Sequence, residues 1–155
     1  MTIPGVSATA ASVIVAEIGV DMQRFPTVAH RRSWAGLCPG LNQSAGKVKS
    51  RTLRNGAPWL NTVLVQSAWA ASRNQNSYLR AQFLTIKSRR GPKKAIMAVA
   101  ASILTAAYYL VRDPVPYNDL GPVYLLRLDH ERAATRLTQR LRNLGYEVEI
   151  RKVAA

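Results

Sequence analysis

Residues 95–111 read AIMAVAASILTAAYYLV, seventeen positions without a charge, preceded by Arg89, Arg90, Lys93 and Lys94. The run falls just short of the about 18–20 apolar residues that a bilayer span requires. It is rich in alanine, carries Ser102 and Thr105, and sets Ile96, Val99, Ile103 and Leu110 on one helical face. It therefore reads as the buried central helix of a helical domain, and its neighbours organise around it.

Upstream, Gly91-Pro92 breaks the chain before this helix. Residues 76–86 form another helix. Leu60, Leu64, Ala68 and Ala71, with Val63 beside them, follow helical spacing from Pro58 at a first helical position to an end near Arg73. Asn55-Gly56 marks a turn. Residues 47–54 alternate as a strand does, but Val48 and Leu53 are their only large apolar side chains, so a short ribbon or basic loop is expected. Residues 36–46, with Pro39, Gly40 and Asn42, form a loop. A short helix covers 28–35, its start set by Phe25 and Pro26, with Arg31, Arg32 and Trp34 mixing charge with an anchor. At the beginning, Ile3-Pro4-Gly5-Val6 supplies a tight turn into an apolar helix over 8–18 that Gly19 stops.

Downstream, Asp113-Pro114-Val115-Pro116 ends the central helix. Residues 117–128 are expected as an irregular linker. Asp129 caps a helix that runs through Leu144, with Leu137, Leu141 and Leu144 on one face and Arg132, Arg136, Arg140 and Arg142 over the rest. Gly145 ends it, and residues 146–150 alternate like a strand. The fold class is thus mainly α. A helical domain over 1–116 has a helix-hairpin-helix-like start and a short β-ribbon; residues 117–155 form a linker and a small basic helix–strand tail.

Composition narrows the function. A chain of 155 residues with 48% hydrophobic residues holds one domain with a core and is no disordered polymer; 9 Gly and 8 Pro exclude a collagen-like chain. Cys38 is the single cysteine, which excludes a disulfide framework and a multi-cysteine zinc site and fits a cytoplasmic setting. The start lacks the basic region of a secretory signal. The net charge of +14 calls for a polyanion. Sixteen of the 22 basic residues are arginine, whose fork matches phosphate oxygens, so nucleic acid ranks ahead of an anionic membrane.

Two motifs carry possible chemistry. In Ile3-Pro4-Gly5-Val6-Ser7 a glycine turn lets backbone N–H groups approach a phosphate, with Gly5 and Ser7 as the donors at the start of a helix. Such contacts hold a DNA backbone without reading its sequence. A tight turn into a core helix explains the same residues. In the second motif, Ser44 sits among the small residues of Asn42-Gln43-Ser44-Ala45-Gly46 and is followed by Lys47, Lys49, Arg51 and Arg54. Small neighbours let a phosphodiester reach the hydroxyl, and the cations offset charge on a pentacoordinate phosphorus. A serine needs a base, a metal or a cation to act as nucleophile, and a solvated phosphate-contacting loop explains the same residues. Arg89, Arg90, Lys93 and Lys94 make a second basic patch facing RNA or DNA, or simply solvent. His30 and His130 read as surface or capping residues. The carboxylates show no metal-binding spacing, so no metal ligand is assigned. Trp34, Trp59, Trp69, Tyr78, Tyr108 and Tyr109 read as core or half-buried.

The order of Ile3-Pro4-Gly5-Val6, Ala16-Glu17-Ile18-Gly19, Phe25-Pro26, Ala35-Gly36-Leu37-Cys38-Pro39 and Ser44-Ala45-Gly46-Lys47, then Arg54-Asn55-Gly56, Lys93-Lys94-Ala95 and Leu144-Gly145-Tyr146, resembles the C-terminal half of transposases of the insertion-sequence one-hundred-and-ten family, the RNA-guided bridge recombinases. The resemblance covers nearly the whole chain. It implies a transposase domain whose serine attacks a DNA phosphodiester and holds the strand until exchange. Ser44 matches that serine, and Ala45 stands where many members have glycine. It further implies a RuvC-like N-terminal domain with four magnesium-binding acidic residues, a composite site between subunits of a homo-oligomer, and a guide RNA that pairs with donor and target DNA. This chain lacks that acidic domain, so no cofactor is expected within it and magnesium is expected in the missing half. The expectation is a chain, cytoplasmic and off the membrane, that binds nucleic acid without cleaving DNA alone. The alternative is a non-catalytic nucleic-acid-binding module of helix-hairpin-helix type.

Overall fold

The computed structural model describes residues 3–21, 27–38, 42–44, 47–50, 56–113, 115–128 and 130–150. In chain order the elements are α1 (Ala8–Ile18), α2 (Val28–Trp34), β1 (Asn42–Ser44), β2 (Lys47–Ser50), α3 (Pro58–Arg73), α4 (Tyr78–Arg90), α5 (Pro92–Arg112), α6 (Tyr124–Arg127) and α7 (His130–Asn143). The chain is mainly helical. The expected start set by Phe25 and Pro26, the Asn55 turn residue and the Asp129 cap lie outside the described residues.

The uncharged run is the middle of α5, which is 21 residues long. It exceeds the seventeen expected because Pro92, lacking an N–H, suits a first helical position, and because Lys93, Lys94 and Arg112 continue the helix beyond its apolar part. By length and composition α5 is long and apolar enough to cross a membrane. Its face of Ile96, Val99, Ala100, Ile103 and Leu104 is instead buried in protein, chiefly against α3 and α4 and also against α2. Across from it, Leu60, Leu64, Ala68 and Ala71 of α3 are fully buried, at the helical spacing that the sequence shows. Each buried leucine contributes about 1.5–3 kcal/mol, and the alanines let the two backbones approach closely. Leu79 and Phe83 of α4 and Ile14 and Ile18 of α1 complete the core.

The opening turn is docked on this core. The Val6 N–H donates to the Ile3 carbonyl at 3.2 Å, with Pro4 and Gly5 (φ 80°) at the two central positions. Proline followed by a positive-φ glycine is the type II pattern. Ser7 then caps α1, its Oγ accepting from the Ala10 N–H at 3.1 Å. A Cβ on Gly5 would lie 2.5 Å from the Ser67 carbonyl oxygen and would overlap Ala71 N, so the absence of a side chain lets the turn lie directly on α3.

Residues 117–123 are irregular, as their sequence indicates, but they are tied to the helical body, and residues 124–127 depart from the expectation by forming one helical turn. Asp119 Oδ1 accepts from the Tyr78 N–H at 2.8 Å and from the Gly121 N–H at 2.7 Å, which fastens the segment to the first turn of α4. The segment then forms α6, which packs on α4, and Tyr124 meets Tyr78 edge to face at 5.8 Å. Burial, the Asp119 carboxylate and Tyr78 push the Tyr117 phenol up to about 12. The phenol ionises near 10.0 when unperturbed, so the stability it confers is complete below pH 10 and drains away as pH rises through about 12. Denaturation midpoints measured just below pH 10 and again near 12 should fall in the native chain. The fall should be smaller in Tyr117→Phe, whose ring does not ionise.

α7 ends as its sequence indicates. The Gly145 N–H donates to the Arg142 carbonyl at 2.9 Å and the Tyr146 N–H to the Leu141 carbonyl at 3.1 Å, with Gly145 at φ 88°. This is the Schellman arrangement that favours glycine. The strand expected over 146–150 does not form. Alternation alone does not make a strand without a neighbour to bond, and among the described residues the only paired strands are β1 and β2. Leu137, Leu141 and Leu144 are exposed.

Candidate nucleic-acid interface

Ser44 lies at the end of a two-stranded antiparallel ribbon. Its Cα partner is Lys47; Gln43 pairs with Val48 and Asn42 with Ser50, so Lys49 is the extra residue of a bulge in β2. Residues directly opposite on such a pair have Cβ atoms about 4.5–5.5 Å apart on one face, which sets the serine hydroxyl beside the stem of a lysine. Ser44 and Lys47 are both exposed. Among the described residues the ribbon's principal contacts are between its own strands, so it stands off the helical body. Arg51 and Arg54 lie outside the described residues, as does the side chain of Lys49.

The base of this excursion is closed by a backbone contact. A Cβ on Gly56 would fall 2.5 Å from Gly36 N and nearer still to the carbonyl group of Ala35. Gly56 thus lies flat on the Ala35–Gly36 peptide at the end of α2, where Ala35 is fully buried. The chain leaves the body after α2, makes the ribbon, and returns at this neck to start α3.

α2 is held by Arg31, a guanidinium with no exposed surface, whose Cζ lies 5.1 Å from the Tyr108 ring centroid. A stacked arginine keeps favourable contacts where a hydrated ammonium would lose its water. The sequence reading of α2 is thereby inverted, since Arg31 is the anchor while Trp34 is 42% exposed. Trp59, read from sequence as core or half-buried, is 74% exposed, because it follows Pro58 at the outer start of α3. Thr27 caps the start of α2, its Oγ1 accepting from the His30 N–H at 3.4 Å and lying 2.7 Å from His30 Nδ1, and His30 itself is exposed.

The second basic patch is a corner. Arg89 and Arg90 end α4, where cations suit the helix dipole, and Lys93 and Lys94 begin α5, where they oppose it. All four are exposed. Tyr108, which receives α2, lies fifteen residues further along α5 than Lys93, or about 22 Å at 1.5 Å per residue. Among the described residues α5 packs on α2, α3 and α4, and the ribbon's principal contacts are within itself, so no extended contact joins this corner to the Ser44 ribbon. Nor does one join Gly5 and Ser7 to the ribbon, since Gly5 is occupied by packing on α3 and the Ser7 hydroxyl by its cap.

One feature of the sequence ties the basic groups together. From residue 22 to residue 112 there is no Asp or Glu, against fifteen Lys and Arg. No carboxylate within that stretch offsets its charge, so the counter-charge comes from elsewhere in the chain or from a polyanion. Among the described residues no cluster of three or more His, Cys, Asp or Glu could hold a metal ion.

Comparison with curated proteins and with solved structures finds no match. The family model described as Transposase IS116/IS110/IS902 family matches residues 1–84, which span α1 through α4 up to Leu84 and include the ribbon and its neck. On that match, over more than half of its length, the chain belongs to the IS116/IS110/IS902 family of transposases.

Proposed function

We propose that this chain is the serine-bearing part of a DNA transposase and that Ser44 is the nucleophile. The observation that carries the reading is the pairing of Ser44 with Lys47 at the exposed end of a ribbon, within a stretch that has no acidic residue. The Ser44 Oγ attacks the phosphorus of a DNA phosphodiester, forming a phosphoserine ester and breaking the bond to one deoxyribose oxygen. The serine proton goes to a base, and the leaving oxygen takes up a proton. Lys47 offsets the charge gained on the phosphoryl oxygens, and Lys49, Arg51 and Arg54 hold flanking phosphates. A serine is a weak nucleophile at its free pKa, so the base or metal that activates it comes from an acidic partner half. On this reading the chain binds DNA and a guide RNA in the cytoplasm and works in a homo-oligomer whose subunits complete each other's sites.

The test mixes this chain with a RuvC-like acidic half, magnesium and DNA carrying a target site. A protein–DNA species that survives denaturing electrophoresis, with the nucleotide mapped to Ser44, is expected. An adduct on another residue, or nicking by this chain alone, overturns the reading; DNA binding with no adduct leaves the non-catalytic module in its place. The α4–α5 corner gives a second expectation. Lys93→Ala with Lys94→Ala should lower the salt dependence of duplex binding by about two phosphate contacts without abolishing the adduct. Binding measured across a salt series checks this.

A further inference from the structure

We infer that Trp59 is a stacking platform for an unpaired base of a single-stranded nucleic acid whose backbone runs along the Ser44 ribbon. The inference rests on reading the ribbon as a nucleic-acid surface, and it adds a contact that neither charge nor the family match supplies. Trp59 leaves 74% of its surface in water, the most exposed of the aromatic side chains that stand out from the described surface. Its backbone is held by Pro58 before it and by Leu60, fully buried, after it. A large ring on a fixed backbone stacks a base at little entropic cost.

Its position is what assigns the partner. Trp59 follows Gly56, which closes the neck of the excursion, by three residues; Trp34, 42% exposed, directly precedes the Ala35–Gly36 peptide on which Gly56 lies. Two indoles thus flank the base of the loop whose far end carries Ser44 and Lys47. From Gly36 to Ser44 the chain reaches at most about 28 Å when extended, which a strand of about eight nucleotides spans. Surfaces that combine a cationic track with exposed aromatic rings are those that bind single strands, because every base offers a π-face. Duplex DNA keeps its bases stacked on one another and gives Trp59 nothing to stack on. The platform therefore prefers the unpaired strand that cleavage or guide pairing exposes.

The probe is a ten-residue thymidine oligonucleotide, with its duplex as comparison, added to the full chain. Trp59→Ala should weaken binding of the single strand about tenfold. It should leave the slope of affinity against salt unchanged, since stacking releases no counterions. Trp59→Phe should recover much of the loss, and the tryptophan fluorescence quenched by the oligonucleotide in the native chain should fall in both variants. Trp59 is exposed, so the thermal transition should not move. Lys47→Ala should do the opposite, flattening the salt slope while preserving the quenching. Unchanged affinity in Trp59→Ala, or equal loss on duplex and single strand, overturns the inference. A binding loss relieved only by a protein partner would assign the ring to a protein contact and overturn it as well. Ser44→Ala should keep both quenching and affinity, so failure of the nucleophile reading and failure of the platform give different results.

Discussion

Ser44→Ala, mixed with the acidic half, magnesium and DNA, should give no covalent protein–DNA species while its DNA affinity stays within about fivefold of the native chain. The two effects separate because the hydroxyl does two different things. Toward bound DNA it offers at most one hydrogen bond to a phosphate oxygen, worth about 1 kcal/mol. Toward the reaction it is the atom that forms the new bond. Removing a nucleophile while keeping its surroundings lowers rates by four orders of magnitude or more, roughly, since no neighbour supplies an equivalent atom. Lys47→Ala should behave differently. The hydroxyl remains, but the charge gained at phosphorus loses a cation, which costs about 10²–10³ in rate. The adduct should still form, slowly. Time courses of adduct formation in the three proteins distinguish these outcomes. An adduct in Ser44→Ala at the native rate would assign the chemistry to another hydroxyl of the ribbon, such as Ser50.

What the sequence made legible follows from periodicity. Leu60, Leu64, Ala68 and Ala71 repeat at the helical interval because one face of α3 is turned to the core, where it meets chiefly α5 and also α1 and α4. The turns that end α1 and α7 were equally readable, since Gly19 and Gly145 close their helices through local hydrogen bonds. The strand expected over 146–150 failed for the complementary reason. Alternation records which faces a strand would present, not whether a second strand exists to bond it. Arg31 is buried and Trp59 exposed, each against expectation, because burial depends on what lies across from a residue. Tyr108, seventy-seven positions from Arg31, gives the guanidinium a ring to stack on, and no local pattern announces that.

The candidate site was legible in its residues and not in its geometry. Ser44 and Lys47 stand close together in a basic run of the sequence; that they face each other across a ribbon is a matter of register. The absence of any acid from residue 22 to residue 112 is readable from the sequence and is the signal that most directly marks this surface for a polyanion. The neck was not readable. Gly56 stands in an Asn-Gly pair that indicates a turn, yet its contact is with a peptide twenty residues earlier.

Of the replacements at Gly5, Gly56 and Gly145, Gly5→Ala should be the most destabilising, and comparing the three shows why. At φ 80° an alanine Cβ crowds its own carbonyl, a strain of about 1–2 kcal/mol. Gly145, at φ 88°, has open space where the Cβ would go, so Gly145→Ala should cost about that much and no more. At Gly5 the same Cβ also meets the backbone of Ser67 and Ala71 in the middle of α3. Those atoms belong to a helix packed against α5 and do not yield as a flexible side chain would, so forced displacement adds about 1–3 kcal/mol. Gly56→Ala carries the overlap without the unfavourable φ and should fall between the two. Urea denaturation should therefore rank the midpoints Gly145→Ala, Gly56→Ala, Gly5→Ala from highest to lowest, with the slopes unchanged. Gly56→Ala alone should also loosen the neck, so that amide protons of the ribbon exchange faster while those of α5 do not. Equal midpoints for Gly5→Ala and Gly145→Ala would mean that the opening turn does not rest on α3, and residues 3–6 would then be free to serve as a phosphate cradle.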